Sequence, residues 1–290
     1  MEIRALRAFL EVSREENMTR AAAELHISQP TLSKLMKSLE AELGVALFVR
    51  RSFGLTLTAD GRLLRERARD LVGMADRIED EFACLGAVTG GTLYFGLAES
   101  FQIGYLAHKI KELRRTAPNL HYHVESGVSA QVLEHLDQGT LDFAVLAQDP
   151  DETKYDFLPF PDVDRWGVIV PEGHRLASRT RIHVDDLVGE PLFCSDQAWK
   201  HEIPRWAGSR FPDLRREATF GLAYNGAVFA REGLGVLLTF DHIVDTSPGS
   251  GIVFRPLDPV LETKLYLTWR RNRPLSPIAD RFLALMRGAA

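Results

Sequence analysis

The first 85 residues of the chain show apolar positions at helical spacing, and after residue 91 the pattern changes to short strand-like and helix-like runs in alternation. Two glycines in AVTGGT (87–92) break the helical pattern and separate the two parts. The chain is therefore predicted to join an all-α-rich N-terminal domain to an α/β domain.

Strand-like runs in the second part are separated by helical patterns, which is the order of a sheet flanked by helices. They occur at TLYFGLA (92–98), HYHVE (121–125), LDFAVL (141–146), WGVIV (166–170), PLFCS (191–195), ATFGL (218–222), GVLL (235–238) and LYLTWR (265–270). Two cycles of strand and helix with a late return strand predict two lobes with a cleft between them. We expect the strands of this sheet to be parallel.

The segment MTRAAAELHISQPTLSKLMKSLEAELG (18–44) has the pattern of two helices joined by a tight turn. Thr19 is expected to cap the first helix, and Ser28 is expected to cap the second, with Pro30 in its first turn. Apolar residues of the second helix fall on one arc. The opposite arc carries short polar and cationic residues, namely Pro30, Thr31, Ser33, Lys34, Lys37 and Ser38.

That polar arc fits a helix in the major groove of DNA, because short side chains let the helix lie deep and lysines reach guanine acceptors or phosphates. An ordinary solvated helix face is the alternative. The apolar positions between Ala5 and Val12 favour DNA binding, since they supply a first helix that completes a three-helix core. The following VALFVRRSFGLTLTADG (45–61) predicts a hairpin with Arg50 and Arg51 at its edge, as in a winged helix-turn-helix.

A further helical pattern, with Thr58 as its expected cap, carries apolar residues at alternating steps of four and three. This heptad spacing favours pairing with another helix over packing against the helix's own domain, and it predicts dimerisation. Two copies of a DNA-reading helix would also double the phosphate contacts. The predicted seam is Leu64, Ala68, Leu71, Ala75, Ile78, Phe82 and Leu85.

The composition narrows the classes of function. The chain has a net charge of −5, so any affinity for nucleic acid must come from a few local cations. It has no apolar run of membrane length and no secretory leader pattern, so a cytoplasmic location without membrane contact is expected. Its two cysteines, Cys84 and Cys194, lie far apart in sequence, which fits a reducing compartment.

Enzyme signatures are missing from the sequence. It contains no P-loop, no nucleophile elbow and no dinucleotide fingerprint, so neither enzymatic activity nor a cofactor is predicted. His121 and His123 share one strand face, but such a pair is more typical of surface or core positions, and no metal site is predicted. Cys194 follows an apolar strand, where a buried inert thiol is favoured over a redox switch.

Residues 1–65 closely resemble the N-terminal domain of LysR-type transcriptional regulators, through RAFLEVSREENMTRAAAELHISQPTLSKLMKSLEAELGVALFVR and the later LTADG. The resemblance implies a winged helix-turn-helix DNA-binding domain at 1–60 and a dimerising linker helix at 61–88. The implied DNA-binding residues are Gln29, Pro30, Thr31, Ser33 and Lys34 near the bases, and Lys37, Arg50 and Arg51 at the DNA backbone. Ser28 is also included among the DNA-binding residues. The family often has arginine where this chain has Lys34, and lysine offers a point charge instead of a bidentate fork.

By the same resemblance, residues 90–290 look like the periplasmic-binding-protein-like effector domain of this family. Lobe I would comprise 90–161 and 268–290, and lobe II would comprise 162–267. The implied partners are a small-molecule effector of unknown identity and double-stranded operator DNA with dyad symmetry. A homodimer or homotetramer would present the paired DNA-binding domains.

Ligands of open α/β sheets bind at the carboxyl ends of strands, near helix starts, where hydroxyls can also be simple N-caps. The candidate effector contacts at such positions are Ser100, Phe101, Gln102, Ser126, Gly127, Val128, Ser129, Cys194, Ser195, Tyr224 and Asn225. Effectors of the family are commonly aromatic or organic acids. Glu99 and Asp196 are acidic departures at these positions, and Glu99 fits an amine-bearing or neutral effector.

Two alternative functions stay open at this point. One is a redox-responsive regulator, and the other is a solute-binding-type module without ligand-controlled DNA binding. An enzyme with a helical appendage would need a catalytic constellation in the cleft, and the sequence shows none.

Overall fold

Three short helices open the chain in the computed structural model, which describes residues 1–51, 54–83 and 89–288. They are α1 (Ile3–Glu15), α2 (Met18–Glu24) and α3 (Gln29–Leu43). Their apolar arcs face one another, because each helix has its apolar residues at helical spacing. The resulting core contains Leu6, Phe9, Val12, Ala21, Ala22, Leu32, Met36 and Leu39.

The turn between α2 and α3 is tight, and both helices begin at side-chain caps. Asn17, not Thr19, caps α2, and its side-chain oxygen accepts two backbone N–H groups at 2.9 and 3.1 Å. Asparagine ranks above threonine as an N-cap, which explains the difference. His26 adopts a left-handed conformation with φ of 53°. Ser28 caps α3 as predicted, accepting the N–H of Thr31 at 3.3 Å.

An antiparallel hairpin follows the helices and consists of β1 (Phe48–Arg51) and β2 (Gly54–Leu57). The Glu40 carboxylate of α3 accepts the N–H groups of Leu47 at 2.7 Å and Phe48 at 3.3 Å. The N–H of Leu55 donates to the carbonyl oxygen of Glu16, just after α1, at 2.9 Å. These bonds fix the predicted wing against α1 and α3.

A long helix, α4 (Ala59–Ala83), follows the wing. It begins where Thr58 accepts the N–H of Gly61 at 2.9 Å, as the sequence predicted. Ala68 is fully buried in the three-helix core, and Leu64 is half-buried against it. The predicted dimer seam is therefore wrong at its start, because these two side chains already pack within their own unit.

The chain divides into two compact units, residues 1–86 and 87–290. The strands of the second unit are β3 (Gly90–Leu97), β4 (Asn119–Ser126), β5 (Phe143–Leu146), β6 (Tyr155–Pro171), β7 (Pro191–Cys194), β8 (Arg215–Thr219), β9 (Val236–Phe240), β10 (Ile252–Pro256) and β11 (Glu262–Arg270). Its α-helices are α5 (Ile103–Leu113), α6 (Ser129–Gln138), α7 (Asp196–Lys200), α8 (Glu202–Ala207), α9 (Ala223–Arg231) and α10 (Pro277–Met286).

The first lobe of this unit is a sheet of β4, β3, β5 and β11 with helices on both faces. Successive strand residues point to opposite faces, so Phe95 and Phe143 meet Phe282 of α10 on one side. On the other side, Ala144 packs with Val132 of α6. Burial on both faces explains why these strands read as nearly continuous apolar runs.

The second lobe repeats this plan with β9, β7, β8 and the second half of β6. Cys194 belongs to a core that also contains Ile203 of α8. Phe193 and Leu237 point the other way and pack with Ala227 of α9. Adjacent residues of β7 therefore pack into cores on opposite faces of the sheet.

Two strands, β6 and β11, connect the lobes. β6 pairs with β11 from Tyr155 to Arg165 and with β9 from Trp166 to Ile169. The predicted lobe limits, 161/162 and 267/268, fall within these strands. The expectation of a wholly parallel sheet is wrong, because β6, β10 and β11 run antiparallel to their neighbours. Each of these antiparallel pairs joins strands that are not consecutive in sequence, so no local connection sets their direction.

The close approach of α4 to the start of the wing predicts a specific effect of substitution at Gly61. A Cβ there would lie 2.2 Å from the backbone carbonyl oxygen of Leu47, which has no rotamer to escape into. We expect Gly61→Ala to lower the free energy of unfolding of the N-terminal unit by roughly 1–3 kcal/mol, measured by urea titration of the full chain.

Gly73→Ala is the matched control on the same helix, because a Cβ at this position would meet no described atom within 4 Å. It should leave stability unchanged or raise it by about 0.5–1 kcal/mol, since alanine is the better helix former. Equal stabilities of the two variants would contradict the packing of α4 described above.

Candidate functional sites

The polar arc of α3 lies on the surface of the N-terminal unit. Leu32, Met36 and Leu39 hold the opposite side of the helix in the core, which turns the polar arc outward. The exposed predicted DNA contacts are Ser28, Gln29, Pro30, Thr31, Lys34 and Lys37, and Ser33 is half-buried.

The arc is cationic because the acidic residues of α3 act elsewhere. Glu40 accepts the N–H groups of the wing, and Glu42 pairs with the N-terminal ammonium of Met1. Lys34 and Lys37 pair with no carboxylate among the residues that the structure describes. Two unpaired lysines on a rigid helix are available to an anionic partner.

The wing contains the other two predicted DNA contacts, Arg50 and Arg51. The backbone of both residues belongs to β1, where they pair with Leu55 and Gly54. Their side chains and residues 52–53 lie outside the described part of the structure.

The outer side of α4 carries an apolar stripe at heptad-like spacing. Leu71, Ile78 and Phe82 are 46%, 49% and 69% exposed, and Ala75 is half-buried. Large apolar side chains at such spacing present an area suited to a second helix. Leu85, the last residue of the predicted seam, lies outside the described residues, as does Cys84.

A cavity of about 480 Å³ lies between the two lobes of the second unit. Its volume is within the roughly 300–1,000 Å³ typical of small-molecule sites. Both lobes contribute residues from strand ends and helix starts, where the sequence predicted an effector site. The predicted effector contacts that line it are Gly127, Val128, Ser129 and Ser195.

Hydrogen bonds cross this cleft from lobe to lobe. The Ser129 hydroxyl donates to Oε1 of Gln197 at 2.8 Å, and Nε2 of Gln197 donates to the carbonyl oxygen of Ala147 at 3.3 Å. The N–H of Ala223, at the start of α9, donates to the Glu99 carboxylate. These bonds hold the lobes together, and a ligand that replaced one of them would change the balance between closed and open forms.

Two of the predicted effector contacts are used inside the protein instead. The Ser100 hydroxyl accepts the N–H of Gln102 at 2.8 Å, and the Gln102 amide donates to the carbonyl oxygen of Val163 at 3.3 Å. Neither residue lines the cavity. The polar groups of this loop therefore attach it to β6.

Five other predicted contacts also lie away from the cavity wall. Phe101 and Tyr224 are 62% and 66% exposed, Ser126 and Asn225 are exposed, and Cys194 is fully buried. The rule that ligands bind at strand ends identifies loops that border the cavity. It does not specify which side chains of a loop turn toward the cleft.

Many residues that line the cavity were not predicted from the sequence. Trp166 and Phe240 line it with ring centroids 4.5 Å apart, and Gln197 and Glu202 lie at the starts of short helices. Phe220, predicted as strand, follows the end of β8 and also lines the cavity. Gln197, Phe220, Glu202 and Phe240 lie at strand ends or helix starts, the same rule that identified Ser195, whereas Trp166 lies inside β6 and had no such signal.

The acidic residues predicted at the cleft have specific partners. Asp196 pairs with Lys200 and accepts a hydrogen bond from Arg216 at 3.0 Å, and these bonds hold its pKa below the usual value. Ser195 caps α7 through the N–H of Ala198 at 3.1 Å. Its hydroxyl therefore stabilises the helix start as well as bordering the cavity.

Asp164 is a buried carboxylic acid on β6, close to where this strand passes between the lobes. It is 3% exposed, and its Oδ2 has no partner among the described residues. Burial raises the pKa of Asp164 to about 6, and a hydrogen bond with Ser100 partly opposes that rise. Its β11 neighbour, Thr263, accepts the indole N–H of Trp166 at 2.8 Å.

The Cys194 thiol is poorly suited to redox sensing. It is fully buried, and burial raises its pKa to about 12. A thiol protonated at neutral pH is a weak nucleophile toward oxidants.

Two further features of the described residues bear on membrane crossing and on metal binding. Among the described helices, none combines the length and apolar character that crossing a bilayer requires. In the same part of the chain, His, Cys, Asp and Glu side chains nowhere gather in threes with the geometry of a metal site.

Two protein-family models match the chain. Residues 3–62 match the model for bacterial regulatory helix-turn-helix proteins of the lysR family. Residues 86–290 match the model for the LysR substrate binding domain, and this match alone covers more than half of the chain.

The curated relatives include regulators matched over different shares of their length. The hydrogen peroxide-inducible genes activator of Pectobacterium carotovorum subsp. carotovorum is 33% identical over 192 residues, which are 66% of this chain and 63% of the relative. The chain thus spans less than two thirds of that relative. The uncharacterized HTH-type transcriptional regulator YvbU of Bacillus subtilis (strain 168) is 26% identical over 98% of this chain and 97% of the relative.

Solved structures share the fold over the whole chain. Full-length CbnR complexed with its target DNA has a TM-score of 0.77 at 21% identity and covers 100% of both chains. Full-length BenM has a TM-score of 0.54 at 23% identity, covering 99% of this chain and 96% of the other.

The buried acid on β6 predicts how stability depends on pH. Asp164 has a raised pKa in the folded protein, so its neutral form favours folding, and this contribution is lost as pH rises from about 4 through about 6. We expect the loss to amount to roughly 2–3 kcal/mol. It is measured as the difference in unfolding free energy between the full chain and Asp164→Asn across that pH range.

The exposed Asp162→Asn variant is the matched control on the same strand and should follow the parent chain at every pH. A stability difference between Asp164→Asn and the parent chain that stays constant from pH 4 to pH 7 would contradict the raised pKa of Asp164.

Proposed function

We propose a function for this chain on the basis of its family. The chain belongs to the LysR family of bacterial regulatory helix-turn-helix proteins. The proposal is that this chain regulates transcription by binding double-stranded operator DNA and that a small molecule in the cleft controls the binding. The exposed, unpaired lysine arc of α3 is the observation that carries it.

In this proposal, α3 enters the major groove and the wing lies beside it. Thr31, Ser33 and Lys34 would meet base edges, while Lys37 would contact the phosphate backbone with the wing arginines. The buried side of α3 supports this assignment, because it fixes the helix and leaves only its polar arc accessible. The full set of proposed DNA contacts is Ser28, Gln29, Pro30, Thr31, Ser33, Lys34, Lys37, Arg50 and Arg51.

The apolar stripe of α4 supports a homodimer or homotetramer. We propose that Leu71, Ala75, Ile78 and Phe82 form its pairing surface, since three of them are large and exposed. A dyad-related pair of α3 helices would select an operator with two half-sites. The proposed parts are a DNA-binding domain at 1–60, a linker helix at 61–88 and an effector domain at 90–290, with lobes at 90–161 and 268–290, and at 162–267.

Control by the effector would act through the balance between open and closed lobes. A ligand shifts that balance only by its difference in affinity for the two forms. Bonds such as Ser129 to Gln197 and Ala223 to Glu99 differ between such forms by necessity, since each joins one lobe to the other. We propose that this change alters how the paired DNA-binding domains are presented.

Redox control is the second candidate function, and the names of several relatives favour it. The relative from Pectobacterium is by its name an activator of hydrogen peroxide-inducible genes. The buried thiol of Cys194, with its pKa of about 12, argues against the same chemistry in this chain. We therefore propose control by a bound metabolite, in the cytoplasm and without an enzymatic step.

The DNA-binding assignment predicts that Lys34→Ala weakens binding to a selected operator duplex. We expect a loss of roughly 1–3 kcal/mol in binding free energy, because one contact to a base or phosphate is removed from each subunit. Fluorescence anisotropy at several salt concentrations measures it, and the effect should be largest at low salt.

Lys111→Ala is the matched control, since it removes one exposed lysine from the second unit. It should leave DNA affinity unchanged, and both variants should sediment like the parent chain. If Lys34→Ala bound the duplex as tightly as Lys111→Ala at every salt concentration, the assignment of α3 would be wrong.

A further inference from the structure

The cleft contains a buried carboxylate oxygen without a partner. Glu202, the first residue of α8, lines the cavity and is 9% exposed. Its Oε2 accepts no hydrogen bond from any described residue. An unsatisfied buried carboxylate oxygen is costly, and a hydrogen-bond donor supplied by a ligand would remove that cost.

The surroundings of Glu202 do not neutralise it by direct contact. Burial raises its pKa, while its own backbone N–H and the nearby charges of His201 and Arg205 oppose that rise. His201 and Arg205 also line a second, more polar pocket that Glu202 borders. Neither side chain bonds to Oε2, so the carboxylate of this cavity-lining residue keeps an acceptor without a partner among the described residues.

Other features of the cleft disfavour a ligand carboxylate in lobe II. The N–H of Ala223 at the start of α9, a natural anion-binding group, already donates to Glu99. The ammonium of Lys200 and the guanidinium of Arg216 are paired with Asp196. An incoming anion would therefore compete with carboxylates of the protein for these donors.

Much of the remaining cavity wall is apolar. Val128 and Leu133 supply it from lobe I, and Phe220, Leu237 and Ile243 supply it from lobe II. A ligand that filled this space would bury an aliphatic or aromatic body against both lobes.

We propose that the effector is an apolar amine whose ammonium group donates a hydrogen bond to the carboxylate of Glu202. An ammonium has only donors, and a charge-assisted bond to a carboxylate is among the stronger hydrogen bonds in proteins. This inference rests on the proposed function, since it names the chemical class of the molecule that the cleft receives.

The test compares three probes that share one phenyl-bearing body: phenethylamine, phenylalanine and 3-phenylpropionate. Their affinities for the full-length chain are measured by isothermal titration calorimetry and by the shift in unfolding temperature. We expect phenethylamine to bind at least about tenfold more tightly than 3-phenylpropionate. Phenylalanine shows whether an added carboxylate is tolerated, and it should bind more tightly than 3-phenylpropionate.

Substitutions test whether Glu202 is the residue that recognises the amine. Glu202→Gln should weaken phenethylamine binding at least about tenfold, because the amide lacks the charge. Glu152→Gln, at an exposed position outside the cavity, is the matched control and should bind like the parent chain. Glu202→Asp keeps the charge on a shorter side chain, so it should retain the preference for the amine, and it replaces the amide variant if that one does not fold.

Three results would overturn the proposal: tighter binding of 3-phenylpropionate than of the amine, unchanged amine affinity in Glu202→Gln, or no binding of either amine-bearing probe. Duplex binding of the same preparations separates this inference from the proposed function. Intact DNA binding without amine preference would refute the inference alone. Amine binding without any affinity for duplex DNA would instead refute the proposed function.

Discussion

The packing of α3 against α1 and α2 is the constraint on which the N-terminal unit depends. Leu32, Met36 and Leu39 are buried on one side of α3, together with Phe9 and Val12 of α1. A helix held along one side has a single accessible arc, and in α3 that arc is short-polar and cationic. Glu40 and Glu42 bond to the wing and to the N-terminal ammonium, so they leave the lysines unpaired among the described residues. The same burial thus shapes the core and exposes the proposed DNA-binding surface.

The second unit depends on a different constraint, the passage of β6 and β11 from one lobe to the other. Seventeen consecutive residues of β6 belong to one strand, so the two lobes share a backbone hinge as well as a cleft. Asp164 is buried on this strand, and Trp166, two residues later, lines the cavity. The same segment therefore lines the cleft and connects the lobes. A ligand in the cleft would contact the strand about which the lobes would move.

Local patterns predicted the helices, the wing and most strands, because they depend on apolar spacing and capping residues close in sequence. Ser28 and Thr58 act as the caps that their positions indicated. The mixed sheet was not predicted, since the direction of β6 and β11 follows from pairing between distant segments. The burial of Ala68 in the core of its own unit was not predicted for a similar reason. A heptad pattern does not tell whether an apolar residue packs within its own unit or against another copy. At the cleft, strand ends located the loops that carry Ser129 and Ser195, but a helix start alone did not indicate that Glu202 lines the cavity.

The claim that α3 reads duplex DNA as part of a dyad is tested most directly by selecting binding sites from a pool of random duplexes with the full-length chain. We expect enrichment of two inverted half-sites whose centres are separated by roughly 10 base pairs or by a multiple of that distance. A chain with both Lys34 and Lys37 replaced by alanine should enrich no such sequence. Selection of the same half-sites by that variant, or no enrichment by the parent chain, would contradict the account.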